Sequence, residues 1–538
     1  MLGNILSRLL GLVRVQVITA LFGAKIATDV FVVASTVPTM VYDLLISGAI
    51  SAALIPVFTG YADGEDRKDL SRIVSAVLSM AAAALALVVA CLVVAAPWLV
   101  EILGAGFDEE ARALTTYLVR LMLPSVLFMG MAGVLASTLY ARQRFTLPAF
   151  SVAVYNVGII LGGILFAGRL QVTSLAVGVL LGALLQLAIQ WPGLRGLRIR
   201  PAIDLSHPGV RTILKLYAPV ALGLIVSNLG VIIDRHLASQ TGEGSIAAMN
   251  VATTLVQFPL GLVATAASFA VLPTLSRQAQ GDGEKERRGD GENPELRTHD
   301  LSADPRSPTP GPPSGAYAAT LRMGMKMILL LIVPAAVGLA VLREPVIQLL
   351  FQRGEFDHSA TALTSLAFLG YSPGIAFAAV DQLLIFAFYA RKDTRTPVAV
   401  GVMAIFVYLA VALTLIRPIG MLGLVLANAA QNISHALVLL WLLNRVVRGA
   451  VDRELGVFLL RVVVAALAMG LTCQLFLGFA APLATSGPQV AILVVAGTGL
   501  GAAVYAVAVT SLRVREARDL WRLLLGRLRR PPAAEAAR

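Results

Sequence analysis

The chain has 538 residues, 57% of them hydrophobic and only 14% charged, with a mean hydropathy of +0.81. Soluble domains carry about 25% charged residues, so this composition excludes a large soluble enzyme and describes a polytopic membrane protein. The formal charge of +12 sits in short loops between apolar runs, which fits anionic phospholipids at the cytoplasmic face and not nucleic acid.

The first 58 residues are long apolar runs with Arg8, Arg14, Lys25, Asp29 and Asp43 set into them. Two helices fit, one on either side of a Phe22-Gly23-Ala24-Lys25 turn. The first is no cleavable signal peptide: it has two internal arginines and no small-residue cleavage motif. An ionised group at mid-membrane costs roughly 2.5–3.5 kcal/mol on insertion scales. Arg8 and Arg14 therefore either snorkel near an interface or line a polar cavity. Lys25 and Asp29, four residues apart, form either an interface ion pair or part of a gate.

A spanning helix needs about 20 apolar residues. That length places segments at 4–22, 28–58, 73–100, 112–139, 148–167, 173–192, 212–238, 244–272, 319–343, 360–389, 396–416, 421–443, 457–480 and 486–511. The expected fold is an all-α polytopic membrane protein with fourteen transmembrane helices. Basic residues cluster in every second loop, at Arg67, Arg142, Arg195, Arg391 and Arg445 with their neighbours. The positive-inside rule then puts both termini in the cytoplasm.

Residues 277–317 are rich in Gly, Pro and charge without apolar periodicity, and read as a disordered cytoplasmic insertion. The tail 513–538 is rich in arginine, with Trp521 and leucines between basic residues, and reads as a helix lying on the inner leaflet or as a solvated tail. Cys91 and Cys473 both lie in apolar runs and form neither a disulfide framework nor a metal site.

Three features recur at a spacing of 249 residues: Pro124 with Pro373, Phe107-Asp108 with Phe356-Asp357, and Tyr140-Ala141-Arg142 with Tyr389-Ala390-Arg391. They fall at equivalent points of the helix order and indicate duplicated halves. The expected organisation is a lobe at 1–195 holding helices 1–6, a basic link at 196–211, and a lobe at 212–447 holding helices 7–12. Residues 448–512 add two C-terminal helices and 513–538 the tail. Because six helices separate the halves, they are parallel repeats, and two such lobes point to a transporter.

A second polar cluster lies in the seventh segment, at Asn228, Asp234, Arg235 and His236. Asp234 is either neutralised by Arg235 or forms a cation site, for sodium or a proton, with Asp381, whose own helix supplies no basic partner. Asn428, Gln431, Asn432 and His435 read as an interhelical polar seam. No catalytic or nucleotide-binding signature is present. Transport would thus draw on an ion gradient or the membrane potential, with no other cofactor. A cationic intramembrane cavity suits an anionic substrate, since arginine offers a planar fork to phosphate oxygens.

Ser7-Arg8-Leu9-Leu10-Gly11-Leu12-Val13-Arg14, Phe22-Gly23-Ala24, Ala27-Thr28-Asp29-Val30-Phe31 and Val37-Pro38 closely resemble the opening of the lipid II flippase family. Gly48-Ala49, Ile55-Pro56, Gln257-Phe258-Pro259-Leu260-Gly261 and Tyr389 with Thr396-Pro397 fit it too, so the likeness covers nearly the whole chain. The resemblance implies fourteen helices, two lobes around a central cationic cavity, and a hydrophobic groove formed by the two added C-terminal helices. It implies a non-enzymatic flippase of the bacterial plasma membrane. The cargo is undecaprenyl-diphosphate-linked peptidoglycan precursor, and cell-wall synthesis proteins are the expected protein partners of a monomer.

By that likeness Arg8 and Arg14 match functional arginines and Asp29 a required acid. Asp234 resembles a sodium ligand with Asp381 as its partner. Ser7 completes the substrate-binding set, with Asp43 and Arg235 as compensating charges. The chain departs from the family at Val15, Tyr42, Ser47 and Thr254, where charged residues are usual. Those departures leave open an exporter of another polyprenyl-linked oligosaccharide or teichoic acid unit. A non-transporting envelope scaffold is the third reading.

Overall fold

The computed structural model describes residues 2–44, 53–62, 67–197, 199–202, 204, 207–261, 274–275, 277–278, 314–447, 449–484 and 486–517. The expected insertion, apart from its two ends, lies outside the described residues. So do Ser47, Gly48-Ala49 and the tail beyond Ala517.

The first half comprises α1 (Leu2–Phe22), α2 (Ile26–Tyr42), α3 (Ile55–Ala62), α4 (Arg67–Leu103), α5 (Glu109–Met122), α6 (Pro124–Ala141), α7 (Thr146–Leu170) and α8 (Thr173–Ala188). The second comprises α9 (Pro208–Ala238), α10 (245–261), α11 (Ser314–Val341), α12 (Arg343–Phe351), α13 (His358–Ala390), α14 (Arg395–Ile419) and α15 (Met421–Val446). Two further helices follow, α16 (Arg453–Ala480) and α17 (Gly487–Ser511). Among the described residues there is no strand, and ten helices are long and apolar enough to cross a membrane. Each of the fourteen expected segments contains helix. In the 112–139 segment α5 ends at Met122 and Pro124 opens α6; residues 45–52 of the 28–58 segment lie outside the described residues.

The 249-residue recurrence extends to the backbone. Asp108 and Asp357 each cap the helix that follows, accepting from the N–H of Ala111 at 2.8 Å and of Ala360 at 2.9 Å. At Asp357, the Ser359 hydroxyl and that N–H hold the carboxyl below the usual carboxylate range. After α6 and α13, Gln143 and Lys392 both take left-handed backbone, φ 58° and 61°. The next N–H returns to the helix, Arg144 to Leu139 O and Asp393 to Phe388 O, which closes a Schellman-type end. After α7 and α14 the left-handed position recurs at Gln171 and Gly420, φ 48° and 56°.

Contacts divide the chain into two compact units that do not follow the repeat. The first is Met1–Thr254 with Leu350–Ala367 and Thr414–Leu424; the second is Leu255–Leu349, Phe368–Leu413 and Val425–Arg538. In the first, α7 and α8 cross backbone to backbone: a Cβ at Gly158 or Gly162 would collide with the main chain of Gly182 or Gly178. α1 packs on the same α7, with Gly3 against the Ala149 carbonyl. A core around Phe58, Ile73, Leu135 and Leu139 closes the end that carries the basic loops. In the second, α11 is tied to α16 by Arg322–Asp452 and to α17 by the Tyr505 hydroxyl, which donates to Leu330 O at 2.8 Å.

Candidate functional site

Arg14 lies near the middle of α1 and opens into a cavity of about 340 Å3 in the first unit. Val15 and Thr19 of α1, Ser35, Tyr42 and Asp43 at α2, Tyr155 of α7, Gln186 of α8 and Asn250 of α10 share the lining. Its Nη1 donates to Asn156 Oδ1 at 3.1 Å, and Asn156 Nδ2 donates in turn to Ser7 O at 3.2 Å. Asn156 thus fixes α1 to α7 through both ends of its amide. It is buried in an otherwise apolar stretch of α7, one turn from the glycine crossing that sets its position. Sequence reasoning passed over it, although a lone amide in an apolar run beside small residues was the available signal.

Of the other expected substrate residues, Asp43 shares the Arg14 cavity, while Arg8 is exposed on α1 and is absent from its lining. Ser7 contributes its carbonyl, as the acceptor for Asn156. Val15 and Tyr42, two of the four departures from the family pattern, both face this cavity, so an aliphatic and an aromatic side chain stand in it. Thr254 is not in the lining; Asn250 and Val251, on the preceding turn, are.

Asp29 stands elsewhere. It is buried in the first turn of α2, at the end of the unit opposite the basic loops, and is absent from the cavity lining. Its Oδ2 accepts from the N–H of Gly244 and its Oδ1 from that of Ala247, both at 2.7 Å. A side chain 215 residues away in sequence therefore caps the N-terminus of α10, where unpaired amides and the helix dipole favour a carboxylate. Gly244 must be glycine here, since φ is +77° and a Cβ would strike the Ala24 carbonyl. The expected Lys25–Asp29 pair does not form. Lys25 Nζ instead meets Glu355 at 2.5 Å, and that hydrogen bond and charge raise its pKa, while Glu243 Oε1 accepts from the Ile26 N–H at 3.2 Å.

Contacts at this end cross between the repeated halves. The end of α1 meets the loop before α13, with Glu355 N–H donating to Ala20 O at 2.9 Å. The end of α9 meets the corresponding loop before α5, with Gly106 N–H donating to Ser239 Oγ at 3.0 Å.

Asp234 and Arg235 lie near the end of α9 as an ion pair at 3.6 Å, and Arg235 Nε is buried without a hydrogen-bond partner. Asp381, of α13 in the second unit, has its own partner: its Oδ1 is 2.6 Å from His435 Nδ1 on α15, and His435 Nε2 faces Pro397 O at 3.4 Å. The polar seam expected on this helix also holds Asn432, whose Nδ2 donates to Asn428 Oδ1 at 3.1 Å. Among the described residues, no three His, Cys, Asp or Glu side chains gather as a metal site.

Comparison with known proteins places these features in a family. The family model described as lipid II flippase MurJ matches residues 18–488. A probable lipid II flippase MurJ from Haemophilus influenzae is 30% identical over 480 residues, 87% of this chain and 89% of that protein. The lipid II flippase MurJ of Burkholderia cenocepacia is 28% identical over 446 residues, 81% of each chain. Among solved structures, a lipid II flippase MurJ in an inward closed conformation shares the fold at TM-score 0.75 and 20% identity, over 97% of this chain and 99% of that one. An inward-facing multidrug resistance MATE family transporter of the MOP superfamily shares it at TM-score 0.64 and 12% identity, over 84% and 95%. With a family model spanning most of its length, the chain belongs to the lipid II flippase MurJ family.

Proposed function

We propose that the chain translocates lipid II, the undecaprenyl-diphosphate-linked peptidoglycan precursor, from the inner to the outer leaflet by alternating access, making and breaking no bond. The observation that carries this reading is the Arg14 cavity. A guanidinium held in place by Asn156 stands among apolar helices with room beside it for an anionic headgroup. In such a site a charge-assisted, bidentate contact to phosphate is stronger than the same contact in water. Relatives named as lipid II flippases, alike over most of the chain, support the identity of the cargo.

The ten apolar helices and the family make this a multi-pass protein of the bacterial inner membrane. On this reading both termini face the cytoplasm, because the basic loops do. The chain works as a monomer, since both halves of the repeat are in one polypeptide, and it delivers its cargo to cell-wall synthesis proteins. Arg8 attracts the headgroup at the cytoplasmic mouth, and Asp43 and Arg235 adjust the charge along its path. Asp29 acts as a latch, coupling headgroup binding to closure of the end opposite the basic loops.

The Val15 and Tyr42 side chains in the cavity favour one second reading, another polyprenyl-linked oligosaccharide or teichoic acid unit as cargo. Native mass spectrometry of co-purified lipid separates the two. A peptide-bearing undecaprenyl diphosphate is the expected result, and a different glycolipid in its place overturns the lipid II assignment.

The coupling ion is a proton on this reading, carried by Asp381 and His435. Both ring nitrogens of His435 face acceptors, so the paired state keeps a proton on each, and loss of one sets a lone pair against an oxygen. Asp234, already beside Arg235, serves as a charge partner. Transport by Asp381→Asn in proteoliposomes is expected to lose its response to a pH gradient. A wild-type rate that follows sodium and ignores pH would exclude the proton.

A further inference from the structure

The Arg14 cavity holds a second polar group that the transport reading leaves unused. Gln186 of α8 lines it beside Tyr155 and Asn250 and is only 5% exposed. Its Oε1 is buried with no hydrogen-bond partner among the described residues. Such an atom is rare in a folded protein, because it gives up water and gains no bond in return.

The packing of α8 on α7 sets where this amide stands. The two helices run antiparallel, and a Cβ on Gly182 or Gly178 would strike the main chain of α7 at Tyr155 or Ile159. Gln186, one turn past Gly182, therefore lies level with Ser151 and its neighbours. Gln190, fully buried one turn further on, donates from Nε2 to Ser151 Oγ at 3.1 Å and to the Gln186 carbonyl at 3.3 Å. Both N–H groups of the Gln190 amide are thus committed, and neither serves the Gln186 side chain.

The same register places Gln186 about one turn, roughly 5 Å along the helix axes, from Asn156, which holds Arg14. α7 begins just after Arg144 and α8 ends just before Arg195, so the amide lies on the basic-loop side of the guanidinium. The cavity presents two groups of opposite character, a cation that only donates and a neutral oxygen that only accepts.

On the reading that Arg14 takes the diphosphate, we propose that Gln186 Oε1 accepts a hydrogen bond from the first sugar of the cargo. It is then a specificity-determining residue, selecting a sugar with a donor beside the carbon that bears the diphosphate. The N–H of a 2-acetamido sugar stands on that neighbouring carbon, close enough to the phosphate for both contacts to be made at once. A headgroup without the donor leaves Oε1 unpaired, and the discrimination is the bond forgone. A neutral amide suits this position better than a carboxylate, whose charge would oppose the diphosphate next to it.

The test is equilibrium binding of two lipids to the full-length protein in detergent. One is undecaprenyl diphosphate bearing N-acetylglucosamine; the other bears 2-deoxyglucose and lacks only the 2-acetamido group. The wild type is expected to prefer the first by about three- to tenfold, the range of one neutral hydrogen bond. Gln186→Met, similar in length but without the amide oxygen, should bind both lipids alike, at the wild-type affinity for the 2-deoxy lipid. That retained affinity also shows the cavity to be folded. Gln186→Glu keeps an acceptor and should keep the preference while binding both lipids more weakly. Arg14→Gln should weaken both lipids by the same factor. If the wild type shows no preference, or Gln186→Met retains it, while Arg14→Gln still weakens both lipids, this proposal falls and the reading of the cavity stands. If Arg14→Gln weakens neither lipid, that reading fails and the proposal fails with it.

Discussion

Arg14→Ala is expected to abolish growth rescue in cells depleted of their own flippase, although the protein still accumulates in the membrane. Among the described residues Arg14 is the one basic side chain lining this cavity, so its loss leaves Asp43 as the full charge among them and reverses the sign of the site. A hydrogen bond to a charged group contributes about 1.5–3 kcal/mol, so losing a two-pronged contact with a diphosphate weakens binding by a factor on the order of 100 or more. Arg14→Lys keeps the charge but loses the fork and the geometry to Asn156, and should rescue partially. Asn156→Leu leaves the guanidinium present but unheld. It should raise the lipid concentration needed for half-maximal transport more than it lowers the maximal rate. Full rescue by Arg14→Ala would remove the residue from the binding machinery, and with it the main support for an anionic headgroup in this cavity.

The helical segments were legible because a membrane helix satisfies its own backbone and must present a long apolar run, whatever its neighbours are. The duplication was legible where the same residue recurs, as at Tyr140 and Tyr389. It was hidden at Gln171 and Gly420, which share a left-handed backbone but no side chain. Of the site, Arg14 could be read because a guanidinium in an apolar run has few explanations. The use of Asp29 could not. Spacing alone pairs it with Lys25 four residues earlier, but a buried carboxylate beside two free helix N-terminal amides is better satisfied by them. Lys25, left at the exposed rim, turns to a glutamate 330 residues away. The division into compact units was equally hidden, because α9, the first helix of the second half, and the start of α10 pack with the first half, and no local pattern records that.

The position of Asp29 leads to a second large effect, on the stability of one end of the first unit. Asp29→Ala removes the acceptors of two buried amides, Gly244 and Ala247. A buried donor left unsatisfied costs about 1–3 kcal/mol, and helix N-cap replacements by alanine alone cost about 1 kcal/mol. A combined loss of about 2–4 kcal/mol would speed hydrogen exchange of the amides in 244–250 by roughly 30- to 1,000-fold, since each 1.4 kcal/mol is tenfold. Asp29→Asn keeps one acceptor oxygen and places an NH2 where the other stood, so it loses one bond and opposes a donor with a donor. Its exchange should fall between wild type and alanine. Lys25→Ala and Glu355→Ala break a pair that is exposed to solvent and screened by salt, and should leave these amides protected. If Asp29→Ala left exchange at 244–250 unchanged while transport was lost, the carboxylate would act on the cargo and not as a latch. If exchange rose and transport fell together, with Asp29→Asn intermediate in both, holding this end shut would be what the acid contributes.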